Sequence, residues 1–193
     1  MNKVKIFKEE LNFISSDRIK LFATNAIQHL PDYFFTVPAS STGKYHPKYA
    51  LGEGGLVRHV RACMRIATVL FTLDMFGYFS SDEKDLILTS LLLHDGYKHG
   101  LIFSKYTTTA HPLIMAKVIA EEGFSWGELT DEEINVISSN VSSHMGQWTF
   151  DYKTKKNILP KPKGKMPNFV HLVDYLASRK MLEVNFDIPV KRK

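Results

Sequence analysis

Six residues carry side chains suited to metal chemistry and stand where hydrophobic residues would be expected: His59, His94, Asp95, His111, His144 and Asp174. His59, His111, His144 and Asp174 each interrupt the apolar stripe of a different helical segment. His94-Asp95 directly follows the most hydrophobic run of the chain, Leu86-Ile87-Leu88 with Leu91-Leu92-Leu93. Burying an unpaired carboxylate or imidazolium is costly, so each of these groups needs a partner. One such histidine would ordinarily be a hydrogen-bonded core residue. Six imidazoles and carboxylates on separate segments are satisfied together by a shared metal centre. The donor types suit zinc, manganese, iron, cobalt or nickel, whereas magnesium or calcium alone would draw more oxygen ligands. Four neutral imidazoles and two carboxylates bring two negative charges, and two divalent ions would leave the site positive. Such a site suits an anionic substrate and a bound hydroxide.

The elements that must position these groups are helical. Ile19, Phe22, Ala23, Ala26, Ile27 and Leu30 form a stripe opened by Ser16-Asp17 and stopped by Pro31. Leu56, His59, Cys63, Ile66, Ala67 and Leu70 form the next, after Gly54-Gly55. Ser80 with Glu83 and Thr130 with Glu133 read as capping boxes, the second leading into Ile134, Ile137, Val141 and His144. His111, Ile114, Met115, Val118 and Ile119 start with Pro112 at the first helical position and end before Gly123. A last helix carries Val170, Val173, Asp174, Ala177 and Met181. No segment alternates over a strand's length, so the expectation is an all-α fold. Adjacent helical residues diverge by about 100°. His94 and Asp95 therefore serve one centre only if it lies between them, with Gly96 freeing the backbone to leave the helix.

The 193 residues, with net charge +5, 44% hydrophobic and 23% charged, predict one globular domain with its own core. Three parts are expected: an N-terminal helix and active-site loop over 1–53, a metal-binding helical core over 54–182, and a basic tail over 183–193. The loop 31–55, rich in Pro and Gly, is long enough to be a lid or binding loop. Lys153, Lys155, Lys156, Lys161, Lys163 and Lys165 lie in a second non-helical stretch, 149–166, read first as a solvated loop. The sequence has no membrane-length apolar run, and residues 1–10 have no apolar core or small-residue cleavage site, so a secretory leader is not expected. Its one cysteine, Cys63, allows no intrachain disulfide, so a cytoplasmic protein is expected.

The order His59 … His94-Asp95 … His111 … His144 … Asp174 resembles the signature of the HD-domain metal-dependent phosphohydrolase superfamily. His94-Asp95-Gly96-Tyr97-Lys98 is similar to the HD-x-x-K motif, and His111-Pro112-Leu113-Ile114-Met115-Ala116 to the H-P-x-x-G-A helix start of the binuclear branch. Ser143 to Trp148 and His171 to Arg179 resemble small bacterial and phage members, and the likeness runs from about Gly54 to Arg179. It implies an HD-type helical bundle with one metal on His59, His94, Asp95 and Asp174. Asp95 would bridge to a second metal on His111 and His144. Both would be divalent transition-metal ions. Asp95 and Lys98 would be the catalytic residues, with Lys98 contacting the phosphate. The implied reaction is hydrolysis of a phosphomonoester or phosphodiester, of a nucleotide by preference, by a metal-activated hydroxide.

Many binuclear members carry two adjacent histidines where this chain has His144-Met145, and the GYP motif of cyclic-di-GMP phosphodiesterases is missing. Four histidines and two aspartates also match the HD-type di-iron oxygenases, which keeps an oxidative alternative open. A third reading is a nucleic-acid-binding or interaction module. It is less favoured because no helix-turn-helix, zinc-finger or RNA-binding pattern accompanies the basic stretches. The expected partner is thus an anionic small molecule, with no membrane involved. Lys44 and His46, with Lys48, are candidates for closing over it. Arg58 and Arg61 read as snorkelling arginines, His29 and His99 as incidental, and His171 as lying off the ligand face. Trp126 and Trp148 read as core or rim packing.

Overall fold

Local signals settle most helix ends in the computed structural model, which describes residues 2–182 and 184–190. Glu183 and Lys191-Arg192-Lys193 of the expected basic tail lie outside the described residues. Two short helical turns, α1 (Lys3–Ile6) and α2 (Lys8–Leu11), precede α3 (Asp17–His29), whose N-cap Ser16 accepts from the Ile19 amide. Then follow α4 (Gly55–Leu70), α5 (Ser81–Leu93), α6 (His111–Glu122), α7 (Asp131–Ser143) and α8 (Lys165–Ala177). Both expected capping boxes form, Ser80 with Glu83 on α5 and Thr130 with Glu133 on α7, satisfying amides at the helix start reciprocally. Pro112 is the second residue of α6 rather than the first, and α8 ends before Met181.

The organising element is α5. Every residue from Asp85 to Leu93 is buried, as expected of a helix that is apolar on all sides. It packs against α3, α4, α7 and α8, while α6 packs on α7. Phe22, Leu56, Ile87, Leu91, Val141 and Val170 meet in the resulting core. Asp85 is a buried carboxylate that accepts from the Ser15 and Ser16 amides at 3.0 and 2.9 Å, tying α5 to the start of α3.

The mostly helical expectation holds, with one small addition: a hairpin, β1 (Phe150–Asp151) against β2 (Lys156–Asn157), in the lysine-rich stretch. Strands of two residues leave too little alternation to read from the chain. The 31–54 loop is fastened down. Arg58 donates to the Tyr49, Leu51 and Glu53 carbonyls, and the Tyr49 hydroxyl donates to Ala177. Arg61 pairs with Glu9 and Glu10 on α2, so both arginines flanking His59 are structural. No helix among the described residues is long and apolar enough to cross a membrane.

Candidate metal centre

The six predicted ligands converge from five parts of the bundle. His59 comes from α4, Asp174 from α8 and His111 from the first position of α6, while His94 and His144 are the C-caps of α5 and α7. His59, His94, Asp95, His111 and His144 are all buried to within 1%. Asp174 is 18% exposed and faces a cavity.

Three rings are oriented by the backbone in the same way. His94 Nδ1 lies 2.7 Å from the Leu91 carbonyl, His111 Nδ1 2.7 Å from Thr108, and His144 Nδ1 2.7 Å from Val141. A carbonyl only accepts, so each Nδ1 must carry a hydrogen, and in the neutral ring Nε2 is then left with its lone pair. Two of these acceptors are last-turn carbonyls, which lack an i+4 amide partner within the helix; Val141 also accepts from the His144 amide at 3.4 Å. His94 and His144 therefore end their helices and aim their Nε2 atoms in a single stroke. This outer contact fixes ring and tautomer in metal-binding histidines generally.

What the Nε2 atoms face is unusual. His111 Nε2 is 2.9 Å from Asp95 Oδ1 and 3.3 Å from His144 Nε2, and His144 Nε2 is 3.7 Å from the same oxygen. On the other side of Asp95, His94 Nε2 is 3.4 Å from Oδ2 and 3.6 Å from Asp174 Oδ1. His59 Nε2 lies 3.0 Å from Asp174 Oδ1 and 3.9 Å from Asp95 Oδ2. His94 Nε2 and Asp95 Oδ1 are buried without a hydrogen-bond partner. Lone pairs facing one another at such distances repel unless a proton or a metal ion lies among them. Donors bound to one ion at about 2.1 Å are separated by about 3.0–3.4 Å, the edges of an octahedron or tetrahedron. The observed separations straddle that range, so the residues fit a metal. Among the described residues two overlapping groups, which share His94, could hold an ion: His94, Asp95 and His144, and His59, His94 and Asp174 with Cys63. Cys63, one turn after His59, sits with Sγ 3.7 Å from His59 Nε2 and was not a predicted member.

The charged groups of the cluster shift one another's titration. Burial alone would raise the Asp95 and Asp174 carboxyls, but Lys98 and His94 hold the first, and His59 and His94 the second, well below the carboxylate range. Burial disfavours a charged His94, yet Asp95 and Asp174 hold its pKa up at about 10. Burial and the neighbouring His94 push His144 down to about 3. The Lys98 ammonium pairs with Asp95 Oδ2.

A cavity of about 390 Å³ opens onto this cluster. Lys98, His144 and Asp174 form its floor, and Tyr45, His46, Trp148, Tyr175 and Arg179 stand around it. His46 lines this cavity: its ring centroid is 5.6 Å from that of His59, and burial pushes its pKa down to about 3. Lys44 does not reach inward; it is exposed, with its ammonium 5.1 Å from the Tyr45 ring. Trp126 is core, whereas Trp148 is a rim residue stacked on Tyr175.

Sequence reasoning passed over three positions. Arg179 faces the cavity with its guanidinium over Tyr175 at 4.4 Å, a placement set by tertiary packing. His171 Nδ1 donates to the His144 carbonyl at 2.8 Å and so holds the turn after α7. Its ring fills the space beside Gly146, where an added Cβ would lie 2.1 Å from a ring atom and φ is +63°. His99 is buried, donates from Nδ1 to Ser104 and braces the loop between Lys98 and His111. Gly96 also has a different reason from the expected one. A Cβ there would lie 2.6 Å from Met115 Sδ and 2.7 Å from Leu30 Cδ2, so room is what the site needs. Compared with protein-family models, curated proteins and solved structures, the chain matches none.

Proposed function

We propose that this protein is an HD-type metal-dependent phosphohydrolase that cleaves a phosphomonoester or phosphodiester, with nucleotides as the preferred substrate class. The observation that carries the reading is the two-sided arrangement around Asp95. Oδ1 faces His111 and His144, Oδ2 faces His94 and His59, and Asp174 completes the second set. Two divalent transition-metal ions would be held there, one on each side. When bound, they would supply Lewis acidity to a phosphoryl oxygen and a water activated at neutral pH.

The chain's own groups account for the remaining tasks. Lys98 reaches the cavity floor beside Asp95 and presents a fixed positive charge to a phosphate oxygen. Arg179 offers a second cation at the mouth. His46, neutral at physiological pH, covers the His59 side and limits water there. Trp148 and Tyr175 supply aromatic surface beside the anion site, which suits a nucleobase.

The test combines elemental analysis of the untagged protein with turnover of p-nitrophenyl phosphate, its bis ester and a nucleotide panel. About two zinc, manganese, cobalt or nickel ions per chain, with turnover lost in Asp95→Ala, are expected. No metal after reconstitution overturns the reading. Two irons with substrate-dependent oxygen uptake and no phosphate release replace hydrolysis by oxidation.

A further inference from the structure

The segment that leaves the cavity has an exposure pattern the metal chemistry does not explain. Across β1 and the residues on either side of it, from Trp148 to Tyr152, exposed and buried side chains alternate. Trp148 is 46%, Phe150 39% and Tyr152 78% exposed, while Thr149 and Asp151 between them are each 6% exposed. Three aromatic rings are thus exposed within five residues. Exposed apolar groups gathered in this way mark an interaction surface.

The buried residues hold this segment in place. Thr149 donates its hydroxyl to Asn157 Oδ1 at 3.0 Å and its carbonyl accepts from Ile158 at 2.8 Å. Asp151 accepts from the Thr154 amide and hydroxyl at 3.0 and 2.7 Å. Phe150 and Tyr152 meet edge to face at 5.1 Å, and Trp148 at the other end stacks on Tyr175 inside the cavity mouth. Trp148 thus stands at the mouth of the cavity that holds Lys98, and the Phe150–Tyr152 pair follows it two residues further along the chain.

Its surroundings are cationic. Lys153, Lys155, Lys156, Lys161 and Lys163 are exposed beside the row. Asp151 is the one acidic residue in the stretch 149–166, and its carboxylate is occupied by the turn. We propose, building on the phosphoester reading above, that the exposed rings of residues 148–152 form a stacking track that leads a single-stranded polynucleotide to the metal-facing cavity. Flat rings flanked by unneutralised lysines match bases on a phosphate backbone. Only unpaired bases offer their faces for stacking, which favours a single strand over a duplex. An anionic lipid surface would satisfy the lysines, but it gives no reason for the row to end at a phosphoester site.

The experiment is fluorescence anisotropy of a labelled oligothymidylate of about twelve nucleotides, titrated with metal-free protein so that binding is read without turnover. Tyr152→Ala and Phe150→Ala should each weaken binding roughly 5- to 150-fold, while Tyr152→Phe, which keeps the ring, should restore it. Replacing Lys153, Lys155 or Lys156 by Gln should lower the salt slope by about 0.7 each. Lys117→Gln, on α6, should leave affinity and slope unchanged. Four results would overturn the track: no binding at low salt, equal binding of a duplex, affinity indifferent to both alanine variants, or Tyr152-dependent capture of phosphatidylserine vesicles without the oligonucleotide. Loss of this binding leaves hydrolysis of small esters standing, and absence of hydrolysis leaves the binding result standing.

Discussion

Metal uptake should release a proton from His94, and the size of the effect follows from the cluster. His94 Nδ1 is engaged by the Leu91 carbonyl, so the proton that makes the ring cationic sits on Nε2, the atom aimed at Asp95 and Asp174. With the pKa held at about 10, an ion entering at pH 7.5 must displace that proton about 2.5 units below its pKa. The displacement costs on the order of 3 kcal/mol, a loss of some hundreds-fold in apparent affinity. Affinity should therefore climb about tenfold per pH unit between pH 6.5 and 8.5. Calorimetric titration of the metal-free protein with zinc, in buffers of differing ionisation enthalpy, counts the protons released; at least one per chain is expected. Affinity independent of pH over that window, with no proton released, would falsify the assignment of His94 as a ligand. The sign for the metal-free fold runs the other way. A raised His94 pKa supports the folded state fully below its ordinary value of 6.5 and is lost as pH rises toward about 10.

Lys98→Ala should lower turnover while both metals are retained by elemental analysis; metal loss in this variant would make Lys98 a structural counter-charge to Asp95. Gly146→Ala forces a side chain into a left-handed backbone position and against the His171 ring. It should cost about 2 kcal/mol or more in urea unfolding and weaken metal binding through His144; unchanged stability would remove His171 from any positioning role. Arg18 holds Glu133 through two contacts of 2.7 and 2.6 Å and keeps its carboxyl down at about 2. Arg18→Ala should lose about 1 kcal/mol at neutral pH. The difference from wild type should shrink as pH falls from about 4.5 toward about 2, and a difference constant across that range refutes the pairing.

Local chemistry accounts for what the chain discloses in advance. Ser80 with Glu83 and Thr130 with Glu133 act over three residues, so their helix starts can be read without knowing the fold. The candidate ligands announce themselves as imidazoles and carboxylates on apolar stripes, since burial demands a reason for each. Arg179, Tyr45 and Cys63 depend instead on how α4, α8 and the 31–54 loop come together, and their residue types carry no comparable anomaly. His171 and Gly146 are legible only as a pair, each explaining the other. The aromatic row from Trp148 to Tyr152 is hidden by brevity, five residues of alternation inside a stretch dominated by lysine.

His94 and His144 cap the helices they terminate, so their aim cannot be undone by replacing a neighbouring side chain; the acceptors are the Leu91 and Val141 carbonyls, present whatever residue occupies those positions. The arrangement is thereby insulated from most point mutations. In exchange, the centre shares the breathing of two helix ends. Each time the last turn of α5 or α7 opens, a donor swings away, so the rate at which a bound ion escapes becomes tied to the local opening that amide hydrogen exchange reads at those turns.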